Sequence, residues 1–203
     1  MWSSKRRELK VRREMARAFA SSVVGFDDFP FARTHRGDVQ VVGTIYTGLR
    51  LDGIISGSIR RDGANATVKL ARLVQESKFA PQIKLVMLQG IALGGFNVVD
   101  IHDLHRRLRI PVLVVARRAP NLVAIREALL GRVPGGARKW RLIERAGAME
   151  ALAGVYVQRA GLTPREAGQV IERFTACGRI PEPLRVAHLI AGGVADGQSR
   201  GRA

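Results

Sequence analysis

Two short apolar runs limit the possible folds more than any other feature of this sequence. Residues 83–88 and 111–116 are apolar apart from Lys84. Runs of this length without alternating polar positions are typical of strands buried on both faces, as in a parallel sheet covered by helices. The segment between them is long enough for a helix, so a right-handed crossover is expected to join the two strands.

Antiparallel strands are predicted before these two runs. Residues 39–47 and 51–59 are rich in β-forming residues and are separated by Gly48 and the two residues after it, which predicts a hairpin. Residues 23–26 form a shorter apolar run that ends in two aspartates. The order of elements predicts an α/β fold with a mixed sheet, in which three antiparallel strands are followed by parallel strands and helices flank the sheet.

Helical segments account for much of the remaining chain. Thr163 and Glu166 have the spacing of a capping box, with Thr at the N-cap and Glu at N3. Residues 1–20 are basic and are predicted to form a helix or an arm, while residues 21–203 are predicted to form a single domain. The elements predicted in that domain also include helices at 67–77, 97–108, 120–130, 163–176 and after Pro181, a short strand at 155–158, and a Gly- and Arg-rich loop at 131–141.

The charge of the chain indicates a polyanionic partner. There are 34 Lys and Arg residues against 17 Asp and Glu, a net charge of +17. Such an excess is typical of proteins that bind nucleic acid. Of the basic residues 28 are Arg and 6 are Lys, and the planar guanidinium suits phosphate better than an ammonium does. A GC-rich coding bias explains the preference for Arg, but it does not explain the excess of positive charge.

Several classes of protein do not fit this sequence. No apolar run reaches the 18 residues that a membrane span needs, so no membrane partner is expected. The charged N-terminal residues do not resemble a secretory signal, and a single cysteine, Cys177, excludes an internal disulfide. A reducing, cytoplasmic location is therefore expected. Neither a P-loop nor a dinucleotide-binding glycine motif is present, and the oligomeric state stays open.

Aspartates are the candidates for a metal site. A carboxylate close to a bound polyanion would repel it unless a cation lies between the two. Mg²⁺ prefers hard oxygen ligands and binds one or two carboxylates together with phosphate oxygens, and Mn²⁺ is expected to substitute for it. The candidate ligands are Asp27, at the end of the first strand, Asp62 and Asp100. The alternative is that these aspartates form turns and helix caps, as Asp62 before Gly63 does readily.

Two further segments carry candidate binding residues. Gly94, Gly95 and Asn97 are predicted to bring backbone amides to a helix start, which favours either a phosphate site or a tight turn. Near the C-terminus, Pro181 and Glu182 suit the first turn of a helix. That helix would carry Arg185 and His188 on one face, three residues apart.

Five blocks of the sequence stand out in order along the chain: GFDDFPF at 25–31, LDGIISGSIRRDGANAT at 51–67, GIALGGFNVVDIHDL at 90–104, PVLVVARRAPN at 111–121 and GRIPEPLRVAHLIA at 178–191. Together they resemble the endonuclease dU family, a distant relative of endonuclease V. The resemblance implies a ribonuclease H-like fold and Mg²⁺-dependent cleavage of a phosphodiester in DNA that contains a deaminated base, deoxyuridine or deoxyinosine, as in DNA repair.

The resemblance also implies roles for individual residues. Asp27 matches the metal-binding aspartate of the first strand, and Asp62 is the nearest match to a second acid. His188 matches a histidine close to the metal, and Arg117 stands where endonuclease V has a lysine. Gln89 replaces an aspartate, which lowers the expected metal affinity unless Asp100 substitutes, and the wedge that separates DNA strands is missing. The remaining candidates are Arg118 and Arg185, with Gly94, Gly95 and Asn97, for nucleic-acid binding, and Asp28, Gln89 and Glu182 as supporting residues.

Two alternatives to a DNA endonuclease remain. Because of Gln89, the chain could be a nucleic-acid-binding protein that keeps the fold without catalysis. It could also be a nuclease that acts on RNA, as endonuclease V-like enzymes can.

Overall fold

The computed structural model describes residues 22–199, so the basic segment predicted at 1–20 lies outside the described residues. In this part of the chain no helix is long and apolar enough to cross a membrane. The strands are β1 (Ser22–Asp28), β2 (Asp38–Thr47), β3 (Arg50–Arg60), β4 (Leu85–Gln89), β5 (Ala92–Leu93), β6 (Asn97–Val98), β7 (Val112–Ala116), β8 (Glu150–Leu152) and β9 (Val155–Ala160). The helices are α1 (Ala66–Gln75), α2 (Ile101–Leu108), α3 (Leu122–Arg132), α4 (Gly136–Ala146), α5 (Pro164–Phe174) and α6 (Glu182–Asp196).

Seven strands form one mixed sheet in the order β3-β2-β1-β4-β7-β9-β8. Strands β1, β2 and β3 pair antiparallel, whereas β4 is parallel to both β1 and β7. These pairings confirm the predicted mixed sheet. The last two strands add a second antiparallel part, because β9 runs antiparallel to both β7 and β8.

The central strands are buried on both faces, as their apolar runs predict. Val24 and Val86 belong to a core cluster that also contains residues of α1 and α2, on one side of the sheet. Their neighbours Val23 and Leu85 belong to a cluster on the other side, which includes Phe174 of α5. Successive side chains of a strand point to opposite faces, so two covered faces require an apolar residue at nearly every position.

Two local predictions were wrong. The helix predicted from residue 97 begins at Ile101, because residues 97–98 form β6, which pairs with β5. Residues 131–141, predicted to be a loop, contain the first half of α4. Gly135 has a φ of 68° and provides the turn into α4, while Ile143 on α4 is buried. Glycine and arginine there reflect a tight connection and an exposed helix face, rather than a long loop.

Helix α6 is held closely against the centre of the sheet. The Thr44 hydroxyl on β2 donates a 2.6 Å hydrogen bond to the carbonyl of Pro183. A Cβ atom placed at Gly25 on β1 would lie 2.6 Å from the carbonyl carbon of Pro183. Only glycine permits this approach of the helix to the strand, and the contact fixes where the rest of α6 lies.

Candidate active site

The carboxyl ends of β1 and β4 meet at one edge of the sheet. In the parallel β1–β4 register Phe26 is aligned with Leu88, so the next residues, Asp27 and Gln89, emerge side by side. Helix α6 crosses this edge and adds His188. Together they line a cavity of about 490 Å³, whose other lining residues are Asp28, Phe29, Pro30, Phe31, Gly192 and Asp196.

Asp27 and His188 form a buried pair. The His188 Nδ1 donates a 2.9 Å hydrogen bond to Oδ2 of Asp27, whose other oxygen accepts a 3.0 Å bond from the Asp28 amide. Asp27 is only 6% exposed, and burial raises its pKa although the hydrogen bond to His188 works in the opposite direction. The same hydrogen bond raises the pKa of His188. The pair therefore holds a proton on Nδ1 and leaves Nε2 for other contacts.

Asp28 adds a second carboxylate at the same place. Burial raises its pKa to about 6, and the neighbouring charge of Asp27 contributes to the rise. Its Oδ2 accepts a 3.0 Å hydrogen bond from the Gly94 amide, which opposes the shift. A buried carboxylate beside a half-buried one, with no arginine of residues 22–199 paired to either, is unfavourable in its charged form, so both aspartates lie at a place where negative charge is costly.

Gln89 has an oxygen without a partner. Its Oε1 is buried and accepts no hydrogen bond within residues 22–199, and the side chain lines the cavity with Asp27 and Asp28. Among residues 22–199, no three His, Cys, Asp or Glu side chains form a group that could hold a metal ion. The available donors are instead two carboxylates and one neutral amide oxygen. These are hard oxygens, so the donor set fits Mg²⁺, which completes its coordination with water or phosphate.

Asp62 lies beyond the Gly94–Phe96 segment. Its Oδ1 accepts a 2.8 Å hydrogen bond from the Phe96 amide, and its Oδ2 is 3.2 Å from Nε of Arg61. The residue has a φ of 49° and lines a second cavity of about 380 Å³, together with Asp100 and the buried Lys139. The three predicted metal ligands therefore line two cavities rather than one, with the glycine segment between them.

Asp100 is a helix cap with a charged partner. Its Oδ1 accepts a 3.0 Å hydrogen bond from the Asp103 amide at the start of α2, and Oδ2 is paired with Arg145. Burial alone would raise the pKa of Asp100, but the hydrogen bond and charge of Arg145, with the bond from Asp103, lower it overall. These contacts match the capping alternative for this aspartate.

The amides and side chains of the glycine segment are largely engaged within the protein. The Gly94 amide donates to Asp28, and a Cβ atom at Gly95 would lie 2.5 Å from Oδ1 of Asp62. The Asn97 side chain is fully buried and bonds to the Ala66 amide and to the Arg60 carbonyl. Asn97 therefore holds β6 against the start of α1 and does not reach the surface.

Glu182 and Arg185 support the start of α6. The guanidinium of Arg185 donates hydrogen bonds of 2.8 and 2.6 Å to the two carboxylate oxygens of Glu182, which is only 7% exposed. This forked pair neutralises a buried carboxylate within one helical turn. The predicted surplus of polar groups on this helix face thus divides into a structural pair, Glu182 and Arg185, and a cavity residue, His188.

Three arginines line a further cavity of about 450 Å³ near the end of β7. Arg117 and Arg118 directly follow that strand, and Arg179 with Gly178 completes the lining. Sequence reasoning identified the first two but not Arg179, which belongs to the loop before α6. Its position in the GRIPEP block, next to the residues that start α6, was the available signal.

Asp196 is a second residue that sequence reasoning missed. It lies at the end of α6 and lines the same cavity as His188 and Gly192. These three residues are spaced four apart, so the helix places them on one face. The spacing was visible in the sequence, but a helix running as far as residue 196 had not been predicted.

Comparison with known proteins identifies the family. The family model of endonuclease dU matches residues 20–195. The chain belongs to the endonuclease dU family. It is 60% identical over 182 residues to a UPF0215 protein of Deinococcus radiodurans, covering 90% of this chain and 93% of that protein. A UPF0215 protein of Methanothermobacter thermautotrophicus is 42% identical over 185 residues, or 89% and 91% of the two chains.

Solved structures extend the relationship of this endonuclease dU family member. A crystal structure of a protein of unknown function from Archaeoglobus fulgidus matches with a TM-score of 0.80 and 37% identity, over 86% of this chain and 98% of that one. Endonuclease V of Ciona intestinalis, bound to a 24mer DNA containing an inosine followed by a ribo-adenosine, matches with a TM-score of 0.56 and 11% identity, over 95% and 99%. At that identity the likeness shows the fold alone, which is ribonuclease H-like as the resemblance implied.

Proposed function

We propose that this protein is a Mg²⁺-dependent endonuclease that cleaves a phosphodiester in DNA containing a deaminated base, deoxyuridine or deoxyinosine. The observation that supports it best is the cavity in which Asp27, the unpartnered Oε1 of Gln89 and His188 meet at the ends of two parallel strands. The family supports a nuclease. The choice of substrate rests on the fold shared with a protein bound to inosine-containing DNA.

Asp27, Asp28 and Gln89 are the residues that would hold the metal. Each carboxylate oxygen has two lone pairs, so Asp27 keeps acceptor capacity after its bonds to His188 and to the Asp28 amide. The Asp28 carboxylate and the Gln89 oxygen face the same cavity. Bound Mg²⁺ would supply Lewis-acid stabilisation of the negative charge that builds on the phosphate, and Mn²⁺ would do the same.

His188 is assigned to proton transfer. The Asp27 carboxylate accepts a hydrogen bond from the Nδ1–H group of His188, and this bond orients the ring. The other ring nitrogen, Nε2, is left to take a proton from the attacking water or to give one to the leaving oxygen. The hydrogen bond to Asp27 raises the pKa of His188, so the ring holds its proton more firmly than a free imidazole does. Asp62 acts indirectly in this proposal, since it holds the Gly94–Phe96 segment against which Asp28 is positioned.

Arginines near the site are assigned to the DNA backbone. Arg117, Arg118 and Arg179 line one cavity, and their charges suit the phosphates on either side of the scissile bond. A net charge of +17 predicts that binding weakens steeply as salt is added, because phosphate contacts release condensed counterions. RNA would satisfy the same phosphate contacts, so these arginines do not distinguish DNA from RNA.

The decisive experiment compares two equivalent substitutions, Asp27→Asn and Asp100→Asn. With Mg²⁺ and a duplex containing one deoxyuridine, we expect Asp27→Asn to lower the nicking rate about 10³-fold, within the range for removing one catalytic group. Asp100→Asn should cleave as the wild type does, because asparagine also caps a helix. Binding of the same duplex in EDTA should be unchanged or tighter for Asp27→Asn, since one repulsive charge is gone.

The alternatives give different results in the same assay. Binding without nicking of deoxyuridine or deoxyinosine substrates by the wild type, in either Mg²⁺ or Mn²⁺, would make the protein a non-catalytic nucleic-acid-binding protein. Nicking confined to inosine-containing RNA would make it a ribonuclease. Wild-type nicking by Asp27→Asn would remove Asp27 from the site.

A further inference from the structure

Another cavity, different from the one lined by Asp62 and Asp100, lies beside the candidate active site. Its volume is about 220 Å³, and its walls are mainly apolar, with Ile91, Ile125, Ile143 and Met149 among them. Gly90, which also lines it, directly follows Gln89 at the end of β4. At roughly 30 Å³ for each water, the cavity has room for about seven waters, comparable to one pyrimidine ring with its two carbonyl groups.

Gly90 contributes bare backbone to the wall of this cavity, next to the candidate active site. The residue has a φ of 79°, which favours glycine, and a Cβ atom placed on it would meet no atom within 4 Å. Bare backbone therefore borders empty space one residue beyond Gln89. A flat group can approach the main chain closely there, in the way that glycine permits at ligand sites.

Gln158 is a fixed polar group in this apolar surround. It lines the cavity from β9 and is 5% exposed. Its Nε2 donates a 2.6 Å hydrogen bond to the carbonyl of Gly147, which sets the orientation of the carboxamide. Within residues 22–199 no group donates to its Oε1. Gln158 thus presents an acceptor oxygen. The carboxamide cannot flip to present its NH₂ group instead, because Nε2 is needed for the hydrogen bond to Gly147.

Deamination changes whether one ring nitrogen of the base accepts or donates a hydrogen bond, and an acceptor oxygen distinguishes the two. Cytosine N3 and adenine N1 carry lone pairs and accept hydrogen bonds. In uracil N3, and in hypoxanthine N1, the same ring position carries a hydrogen and donates. A fixed acceptor facing that position binds the deaminated base and repels its parent, because two lone pairs would be buried against each other.

We propose that this cavity receives the target base and that Gln158 selects it through its Oε1. The inference rests on the proposed function, since a base in a duplex must leave the stack to reach such a pocket. Apolar walls would stack on the faces of the ring, and Gln158 would accept the ring N–H. Gln158 is then a specificity-determining residue that separates a deaminated base from its parent, uracil from cytosine and hypoxanthine from adenine.

The test measures binding rather than cleavage, so it does not depend on the metal. The probes are oligonucleotide duplexes in EDTA that carry deoxyuridine, N3-methyldeoxyuridine or deoxycytidine opposite an abasic residue, so that none of the three bases has a pairing partner to lose. We expect the wild type to prefer deoxyuridine by about tenfold over the other two, the scale of one buried hydrogen bond. In Gln158→Leu that preference should fall to about one, while Gln75→Leu, on the exposed side of α1, should keep it.

Equal wild-type affinity for deoxyuridine and N3-methyldeoxyuridine, or a preference that survives in Gln158→Leu, would overturn the assignment. If Gln158→Leu does not fold, as judged by circular dichroism, Ile125→Trp fills the cavity from the exposed helix α3. It should weaken binding of the deoxyuridine duplex about tenfold, and unchanged binding would overturn the pocket. Failure of the wild type to nick any substrate tests the proposed function separately, and the base preference in EDTA is judged on its own.

Discussion

The two acidic cavities of this protein use the same residue type in opposite ways. Around Asp100 each carboxylate has a positive or amide partner, and Arg145 with the Asp103 amide lowers the pKa of Asp100 overall. Around Asp27 the partners are the His188 ring and backbone amides, a second carboxylate lies next to it, and burial raises the pKa of both aspartates. A carboxylate whose pKa is lowered by its partners stabilises the fold, whereas adjacent carboxylates whose pKa is raised are retained at a cost, and such groups mark candidate functional sites.

The largest further difference should come from two histidines, one in the cavity of Asp27 and one outside both cavities. His188→Ala removes the partner of Asp27 and should lower the nicking rate about 10²-fold, the usual scale for a general acid or base. The matched change is His102→Ala on α2, whose ring lies 3.1 Å from the carbonyl oxygen of Arg145 and which should leave the rate unchanged. Nicking rates per folded molecule, with thermal melting as the control, separate the two. A lower melting temperature with an unchanged rate for His188→Ala would make the histidine a packing residue.

Asp62 lies between the two cases and should give an intermediate effect. Its carboxylate holds the Phe96 amide and does not line the cavity of Asp27. Asp62→Asn keeps an oxygen for the Phe96 amide but loses the charge that faces Arg61, so we expect a partial loss of about tenfold in nicking, on the order of one polar contact. Titration of the rate with Mg²⁺ should show the same metal dependence as the wild type. A loss as complete as that in Asp27→Asn, with a higher Mg²⁺ requirement, would add Asp62 to the metal ligands.

Asp28 should reveal the electrostatic cost of the site through the pH dependence of stability. Its pKa is about 6 in the folded protein and roughly 3.9 in an unfolded chain. Since the folded value is raised, the folded state binds more protons between these values, and stability falls as pH rises from about 4 to 6. Asp28→Asn should therefore raise the free energy of unfolding in EDTA by up to about 3 kcal/mol at pH 7. Urea unfolding at pH 7 and at about pH 3, below the unfolded pKa, measures the difference, and the gain should vanish at the lower pH.

Asp100 should show the opposite sign and a smaller size. Its folded pKa is lowered, so its contribution is present above the unfolded value and is lost as pH falls through the folded value. Because half of the Arg145 side chain is exposed, Asp100→Asn should cost only about 0.5 kcal/mol at pH 7 and progressively less as the pH falls below the unfolded value. If both asparagine variants shifted stability in the same direction, the contrast between the cavities would be lost.

The sequence predicted the sheet better than the site. Burial on both faces leaves a continuous apolar run, and for that reason β4 and β7 could be located from residues alone. The capping box of Thr163 and Glu166 was confirmed, since its two hydrogen bonds are local. The start of α4 was missed because Gly135 and the exposed arginines resemble a loop in composition, and only the packing of Ile143 against residues far away in the chain distinguishes a helix.

For the site residues, too, local features could be predicted from the sequence and contacts between distant residues could not. Asp27 and His188 were both predicted, but the hydrogen bond between them joins residues 161 positions apart, and no local pattern encodes it. Asp62 and Asp100 have the same residue type as Asp27, so residue identity could not separate them. Their distinct neighbours, an amide of the glycine segment and Arg145, come from the tertiary fold. Gln158 could not be singled out from the sequence, because the function of a glutamine in a strand depends on the cavity that it lines.

The contact between Gly25 and Pro183 sets the distance between helix α6 and strand β1. Helix α6 packs directly on the backbone of β1 two residues before Asp27, so backbone contact, rather than side chains that can change rotamer, sets the distance between Asp27 and His188. A single methyl group at position 25 would push the helix outward and move His188 away from Asp27, although no polar group of the site would be changed chemically. The spacing on which the chemistry depends is thus held by a residue that has no side chain.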